Sequence, residues 1–492
     1  MSNITIAWLA LSFLIGFVIY LLPKLDRFLA LGMAVVSAAY AVLIFVEQSP
    51  LNIQLLDNFG VTLTVDRLSG FFILTNALVT AAVIFYCWQT GKTAFFYMQL
   101  IILHGSVNAV FICADFISLY VALEVISIAS FLLIAYPRTD AAIWVGLRYL
   151  FTSNVAMLFY LVGAVLVYQA HHSFNYAGLR GSPPEAVALI FLGLLVKGGI
   201  FVSGLWLPLT HSESESPVSA LLSGVVVKAG VFPLVRCALM LEEIDPIVRF
   251  FGVATALFGV GFAILEKDTK RMLAFSTISQ LGFILAAPVV GGFYALTHGL
   301  VKSSLFLIAG ALPSRNFKQL QQQPIDNKIW LALAIASFSI SGFPLLSGFG
   351  AKILTSKNLL PWQAIAMNIA TLGTAICFAK FIFLPHNNFH QQGDESKLET
   401  EKIQPGFWWA MVILLGGLVA ANVFYYEAYT ITNTIKPLAT IALGWLAYIL
   451  IFKKLIIKLP RSFEQFDHLT GVMSLMLILL FWIVWTQTQY LT

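Results

Sequence analysis

The sequence predicts an all-α fold, a polytopic membrane bundle of about 14–16 transmembrane helices. Three observations predict it. Hydrophobic residues make up 59% of the 492-residue chain and charged ones only 10%, with a mean hydropathy of +0.88, far above the balance of a water-soluble domain. Apolar runs of the roughly 20 residues that a ~30 Å hydrocarbon layer demands follow one another along nearly the whole chain. The segments between them are mostly too short to fold separately, so the core is a helix bundle surrounded by lipid.

Taken in order, the first apolar window covers 4–22. It has no basic n-region and no small-residue cleavage site, and Lys24 and Arg27 follow it, so a retained first helix with its N-terminus outside is expected rather than a signal peptide. Further windows lie near 28–46, 68–88, 94–113, 116–136 and 143–168. A central group lies near 186–207, 217–241, 247–266, 271–290, 293–312 and 329–345. The last four lie near 362–385, 406–425, 435–452 and 468–488. The longest polar stretch, HNNFHQQGDESKLETEK from His386 to Lys402, reads as a solvated loop. Lys and Arg concentrate after odd-numbered windows, as in KDTKR (Lys267 to Arg271) and KKLIIKLPR (Lys453 to Arg461), which puts those loops inside. Two stretches read as interrupted helices: VKGGIF, where Gly198 and Gly199 follow a lysine, and the Gly/Pro-rich SGFPLLSGFGAK from Ser341 to Lys352. Broken membrane helices at matching positions of two halves point to a transport site.

The charges inside the windows carry the functional signal. Glu124 lies in DFISLYVALEV, about 14 Å from Asp115 along a helix and so in mid-membrane. Lys197 and Lys228 are central in their windows. His298 and Lys302 stand four residues apart on one helix face, and Lys380 lies nearer an end. Each charge at a helix centre costs at least ~2.5–3.5 kcal/mol, a large standing cost for a purely structural bundle. Desolvation disfavours a buried ammonium and a nearby carboxylate favours it. A Glu–Lys pair of adjustable separation can therefore hold a proton or release it, away from bulk water. The rivals are structural: an inert Glu124–Lys197 salt bridge, a satisfied core His298, and Lys380 reaching an interface.

Other chemistry is not indicated. The net charge of +5 is spread among short loops, with no basic stripe for nucleic acid. Cys87, Cys113, Cys237 and Cys377 fall in separate apolar runs without ligand or CxxC spacing and read as buried spectators. There is no Walker motif, no GxGxxG in a βαβ setting and no HExxH, so no cofactor and no metal site is expected. His171 and His172 read as solvated.

The stretches VNAVFICADFISLYVALEV, LVKGGIFVSGLWLPLTHSESESPVSALLSGVVVKAGVFPLVR, EKDTKRMLAFSTISQLGFIL, ALTHGLVKSSLFLIAGAL and ISGFPLLSGFGAK are highly specific in combination. Across roughly Asp66 to Pro385 the chain resembles the antiporter-like subunit family shared by Mrp-type multisubunit Na+/H+ antiporters and the membrane arm of respiratory complex I. Within that family it looks most like the D-type branch of the Mrp antiporters. The resemblance implies two inverted five-helix repeats, each containing a broken helix, over residues 94–245 and 246–425. Residues 1–93 and 426–492 would add N- and C-terminal transmembrane helices. Glu124 would be the family's helix-5 glutamate, Lys197 the lysine of the first broken helix and Lys228 the connecting lysine. His298 and Lys302 would continue the axis, and Lys380 would end it as the terminal residue of the second broken helix.

Two positions depart from the family pattern: Leu209 stands where an acidic residue follows WLP, and Glu215 stands near a usual proline, so proton uptake is expected to differ there. The implied function is proton translocation within a multisubunit monovalent cation/proton antiporter of the cell membrane, with other membrane subunits, protons and monovalent cations as partners. The alternatives are a proton-pumping member of a complex I-like NAD(P)H dehydrogenase, in a thylakoid or other energy-transducing membrane, and a structural membrane scaffold.

Overall fold

The structure is a computed structural model that describes residues 2–47, 49–56, 60–387, 404–455, 461 and 464–491. Each apolar window falls on a helix. The N-terminal part holds α1 (Ser2–Leu21), α2 (Asp26–Glu47), a hairpin of β1 (Leu51–Leu56) and β2 (Gly60–Val65), and α3 (Arg67–Cys87). Next come α4 (Ala94–Val110), α5 (Phe116–Ile134), α6 (Asp140–His171), α7 (Pro184–Gly198), α8 (Leu207–Glu213), α9 (Ser216–Leu221) and α10 (Lys228–Met240). The following group is α11 (Asp245–Leu265), α12 (Thr269–Ala286), α13 (Gly291–Ala309), the short α14 (Phe317–Leu320), β3 (Ile325–Asp326), α15 (Asn327–Ser341), α16 (Ser347–Lys357), α17 (Pro361–Ile382) and β4 (His386–Asn387). The C-terminal part is α18 (Pro405–Val423), α19 (Ile431–Ala447) and α20 (Phe466–Leu491). Most of the polar loop read at His386 to Lys402, and half of KKLIIKLPR, lies outside the described residues.

Among the described residues thirteen helical segments are long and apolar enough to cross a bilayer, and the chain is an integral membrane protein. The windows on α4 and α15 give helices of 17 and 15 residues, and α12 carries Lys270 and Arg271 in its first turn. Side-chain caps start many helices: Asp66, Asp115, Thr139, Asp268 and Asp326 each accept a backbone N–H from their first turn. The hairpin was not foreseen, because two six-residue strands beside so many long apolar runs leave little signal. Its strands pair antiparallel from Leu51 opposite Val65, and Leu63 bridges to Cys113 at the α4–α5 turn.

Burial orders the bundle. Within the spans Ser216–Met240 and Pro288–Ala309 an apolar stretch of 18 residues is buried throughout, whereas only 17% of the corresponding stretch of Ile431–Phe452 is buried, so α9, α10 and α13 are central and α19 peripheral. Around the centre α6 packs on α7, α11 on α12, α3 on α13, and the last helix, α20, returns to α7.

Both interrupted helices predicted from the sequence are present, and they end alike. At the first, Gly199 has φ +66°; its N–H donates to the Val196 carbonyl and the Ile200 N–H to Leu195. At the second, Gly342 has φ +87°; its N–H donates to Ser339 and the Phe343 N–H to Phe338. These paired bonds satisfy orphan carbonyls at a left-handed glycine. The first break continues through a 3-10 turn, Phe201–Trp206, into α8, and the indole of Trp206 donates to the Val196 carbonyl at 2.9 Å. A third irregularity, a π-turn at Leu222–Val226, stands directly before Lys228.

Candidate functional site

Lys197 sits in the last turn of α7, one residue before the break's two glycines, and is 2% exposed. Its ammonium donates to the Ser127 hydroxyl of α5 and, at 2.8 Å, to the Ser153 hydroxyl of α6, and lies 5.7 Å from the Tyr149 ring. Glu124 is one turn from Ser127 on α5 and half-buried. It acts electrostatically on Lys197, but the two form no ion pair. One carboxylate oxygen of Glu124 is buried without a hydrogen-bond partner. Two serine hydroxyls therefore stand where an inert salt bridge would have placed the carboxylate.

Lys228, His298 and Lys302 form a second group at the centre of the bundle. Lys228 is fully buried and donates to the backbone carbonyls of Ser223, at 3.3 Å, and Gly224, which the π-turn turns toward it. A Cβ on Gly299 would lie 3.5 Å from its ammonium and 3.0 Å from the Gly224 carbonyl oxygen, so α13 passes directly across Lys228. Lys302, one turn along α13 from His298, donates to the Leu273 carbonyl at 3.0 Å and to the Ser276 hydroxyl, both of α12. His298 is 2% exposed and neither ring nitrogen has a partner. The charges acting on its ring are Lys228 and Lys302. A close approach of α10 to α7, where a Cβ on Gly230 would fall 2.2 Å from the Gly198 nitrogen, links this group to the Lys197 end.

Lys380 differs from its expected setting. It lies on α17, an uninterrupted helix, and not on the second broken helix, which is α15 and α16. Its ammonium donates to the carbonyls of Ala263, at 3.2 Å, and Glu266, at 2.7 Å, satisfying the C-terminal end of α11. The lysine beside the second break is Lys352 of α16, which the sequence reading noted without assigning it a role. It donates weakly to the Ser341 carbonyl, at 3.4 Å, and its stem lies against Gly342. A narrow crevice beside it is lined also by His298, Gln280, Tyr294 and Thr297. Its place in GFGAK, just after a glycine-rich break, is the signal that could have found it.

The sequence reading also passed over a neutral network among α1 to α4. His104 shares hydrogen bonds with Thr80 (3.1 Å), Ser37 (2.8 Å) and Asn108 (3.0 Å), and Asn76 donates to Asn108. The i, i+4 pair of polar groups in ILHGSVN was its trace. The cysteines are all free and buried, as expected. Among the described residues no cluster of acidic, His or Cys side chains could hold a metal ion.

What this arrangement can do follows from its partners. The described residues give Lys197, Lys228, Lys302, Lys352 and Lys380 no carboxylate at ion-pair distance; hydroxyls, carbonyls and ring faces surround them. Such oxygens can accept from an ammonium, and a serine hydroxyl can also turn and donate to a neutral amine. Either protonation state is thus accommodated at Lys197 and Lys302, which have serine hydroxyl partners, as a proton carrier requires.

Comparisons with known proteins agree with the fold. Over 487 aligned residues the chain is 25% identical to the D component of the Na(+)/H(+) antiporter of Alkalihalophilus pseudofirmus, covering 89% of this chain and 98% of that one. It is 30% identical over 363 residues to the N component of the NADH-quinone oxidoreductase of Desulforudis audaxviator, covering 66% and 72%. Among solved structures, a chain of an archaeal membrane-bound sulfane sulfur reductase superposes with a TM-score of 0.74 at 21% identity, covering 91% of this chain and all of that one. A chain of the Mrp complex from Dietzia superposes with a TM-score of 0.72 at 18% identity, covering 95% and all. Both are parts of multisubunit membrane complexes. The model of the "NADH:quinone oxidoreductase/Mrp antiporter, TM" family matches residues 113–377, which contain Glu124, Lys197, Lys228, His298, Lys302 and Lys352, and the chain belongs to that family.

Proposed function

We propose that this chain is the proton-translocating member of a multisubunit monovalent cation/proton antiporter of the Na+/H+ kind, seated in the cell membrane with other membrane subunits. One observation carries the reading. Lys197, Lys228 and Lys302 are almost wholly inaccessible, yet each is held by neutral oxygens in place of a countercharge. A scaffold would pair such charges or dispense with them. Protons enter near Glu124 and Lys197 and pass Lys228 and the His298/Lys302 pair, with water bridging the gaps. Two lysines share the outlet: Lys352, across the crevice from His298, and Lys380, at the end of α11. The alike breaks after α7 and α15 support two inverted repeats over residues 94–245 and 246–425. The likeness to the D component of a Na+/H+ antiporter along nearly the full length favours exchange against a monovalent cation. The test is collapse of a pH gradient on Na+ addition, in vesicles containing the chain with its native partner subunits. Glu124→Gln and Lys197→Ala should each remove exchange while the complex still assembles, and wild-type rates in both would reject the path.

The 30% identity to a component of a quinone oxidoreductase keeps a second reading: the same path in a redox-driven dehydrogenase. Purifying the native complex separates the two. Hydrophobic subunits without redox cofactors support the antiporter, and flavin or iron–sulfur subunits the dehydrogenase.

A further inference from the structure

His211 lies on α8, the short half of the first broken helix, and is fully buried with no hydrogen-bond partner at either ring nitrogen. Its ring stacks on Phe306 with centroids 4.5 Å apart and planes at 16°. Phe306 is one turn along α13 from Lys302, so His211 faces the helix surface that bears Lys302. On the other side, Lys270 of α12 is 7% exposed and donates at 2.7 Å to the carbonyl of Ser214, three residues beyond His211. Lys270 and Lys302 are the two charges acting on the imidazole.

Beyond Lys270 lies a charged mouth. Glu213 is exposed, Glu215 pairs with Lys92 at 2.7 Å, Asp268 pairs with Arg315 at 2.8 Å, and Arg315 donates to the Ser212 carbonyl. The imidazole thus stands between this mouth and the centre of the axis. Neighbouring contacts fix its helix: Ser219 donates to the His211 carbonyl at 3.1 Å. Packing alone accounts for a ring on Phe306. It does not account for two buried nitrogens without partners, which are costly unless they are used.

We propose that His211 is a proton-transfer residue joining the Lys270 mouth to Lys302, giving the axis a side branch through the short half of the first broken helix. This rests on the function proposed above and adds a residue and a route to it. A proton arriving through water at the mouth adds to one ring nitrogen. The proton on the other nitrogen leaves to the neutral amine of Lys302, so one proton enters, one departs, and the imidazole is left as its other tautomer. Rotation of the ring restores the starting tautomer.

The experiment uses the complete complex in everted vesicles, with Na+ as the added cation and a pH-sensitive dye as the readout. His211→Phe keeps the stacking face and removes both nitrogens; His211→Gln keeps polarity without imidazole titration. Both should lower proton flux at least about tenfold with normal levels of every subunit. His211→Gln should also change the shape of the pH–rate profile, which Phe306→Leu, a packing control, should not. Wild-type flux in either His211 variant overturns the branch, as does a pH profile equally altered by Phe306→Leu. Glu124→Gln separates the two proposals. If it stops exchange while the His211 variants do not, only the branch fails; if it too is silent, the path itself fails.

Discussion

Among the buried charges, the chemistry of each lysine is set by what its ammonium touches. Lys197 has two serine hydroxyls, and Glu124 stands one turn from Ser127 on α5 with one oxygen lacking a hydrogen-bond partner. If the carboxylate modulates the lysine, Glu124→Gln should cut exchange at least about tenfold, since positioned acid–base groups contribute that much or more. The double substitution Glu124→Leu with Lys197→Leu tests the scaffold reading. It should leave a folded complex without exchange, because removing both ionisable groups together leaves no unmatched charge behind; retained exchange would point to a structural role. Lys352 and Lys380 should separate as well. Lys380→Met removes donors from the α11 terminus and should cost about 1–2 kcal/mol in thermal denaturation, with part of the flux kept. Lys352→Met should lose most of the flux with little change in melting.

At the scale of elements, the broken helices depend on backbone conformations and close approaches that particular glycines permit. Gly199 is left-handed, and a Cβ there would fall 2.3 Å from Leu207 Cδ1. Gly199→Ala should cost about 1–2 kcal/mol for the left-handed conformation alone and disturb the turn that positions Lys197. Gly230 is a right-handed helix residue whose Cβ would strike the backbone of Gly198, so Gly230→Ala should push α10 away from α7 and lower flux as well as stability. Gly261, on α11, has nothing within 4 Å of its Cβ position, and Gly261→Ala should be neutral or mildly stabilising. Melting curves and vesicle exchange on these three variants compare the glycines directly. A tolerant Gly230→Ala would mean that the α7–α10 contact does not matter for transport.

Over the whole molecule, one charged junction ties distant segments together. Arg271 at the start of α12 pairs with Glu266 at 3.2 Å and with Glu464, which precedes α20. The last helix is thereby anchored beside the α11 end that Lys380 satisfies, and it packs along α7. Glu464→Ala removes one partner of a buried pair and should destabilise by roughly 3–5 kcal/mol, seen as a lower melting temperature and easier proteolysis of the C-terminal segment. Burial opposes ionisation of Glu266, but Arg271 and the backbone N–H groups of Lys267 and Asp268 outweigh it and hold its carboxyl below the ordinary 4.5. A depressed folded-state value means stabilisation that is full above 4.5 and lost as pH falls through the lower, folded value. Denaturation followed from about pH 6 downward should show this acid-side loss, and Glu266→Gln should flatten it.

The sequence by itself determined the helical class, the sixteen windows, the two breaks and the presence of charges in mid-membrane. These follow from local rules: apolar length, glycine and proline placement, and the cost of an ion in hydrocarbon. Even the i, i+4 relation of His298 and Lys302 needed only helix geometry. Only the tertiary structure decided which charges meet. It gave Lys197 two serine hydroxyls and no ion pair with Glu124, set Lys380 on an unbroken helix against α11, brought Lys352 to a crevice beside His298, and left His211 unpartnered between Lys270 and Lys302. The physical reason is that hydrogen-bond partners on different helices are fixed by rotation and packing of whole segments. Hydropathy places a residue at a depth in the membrane and leaves undetermined which helix it faces.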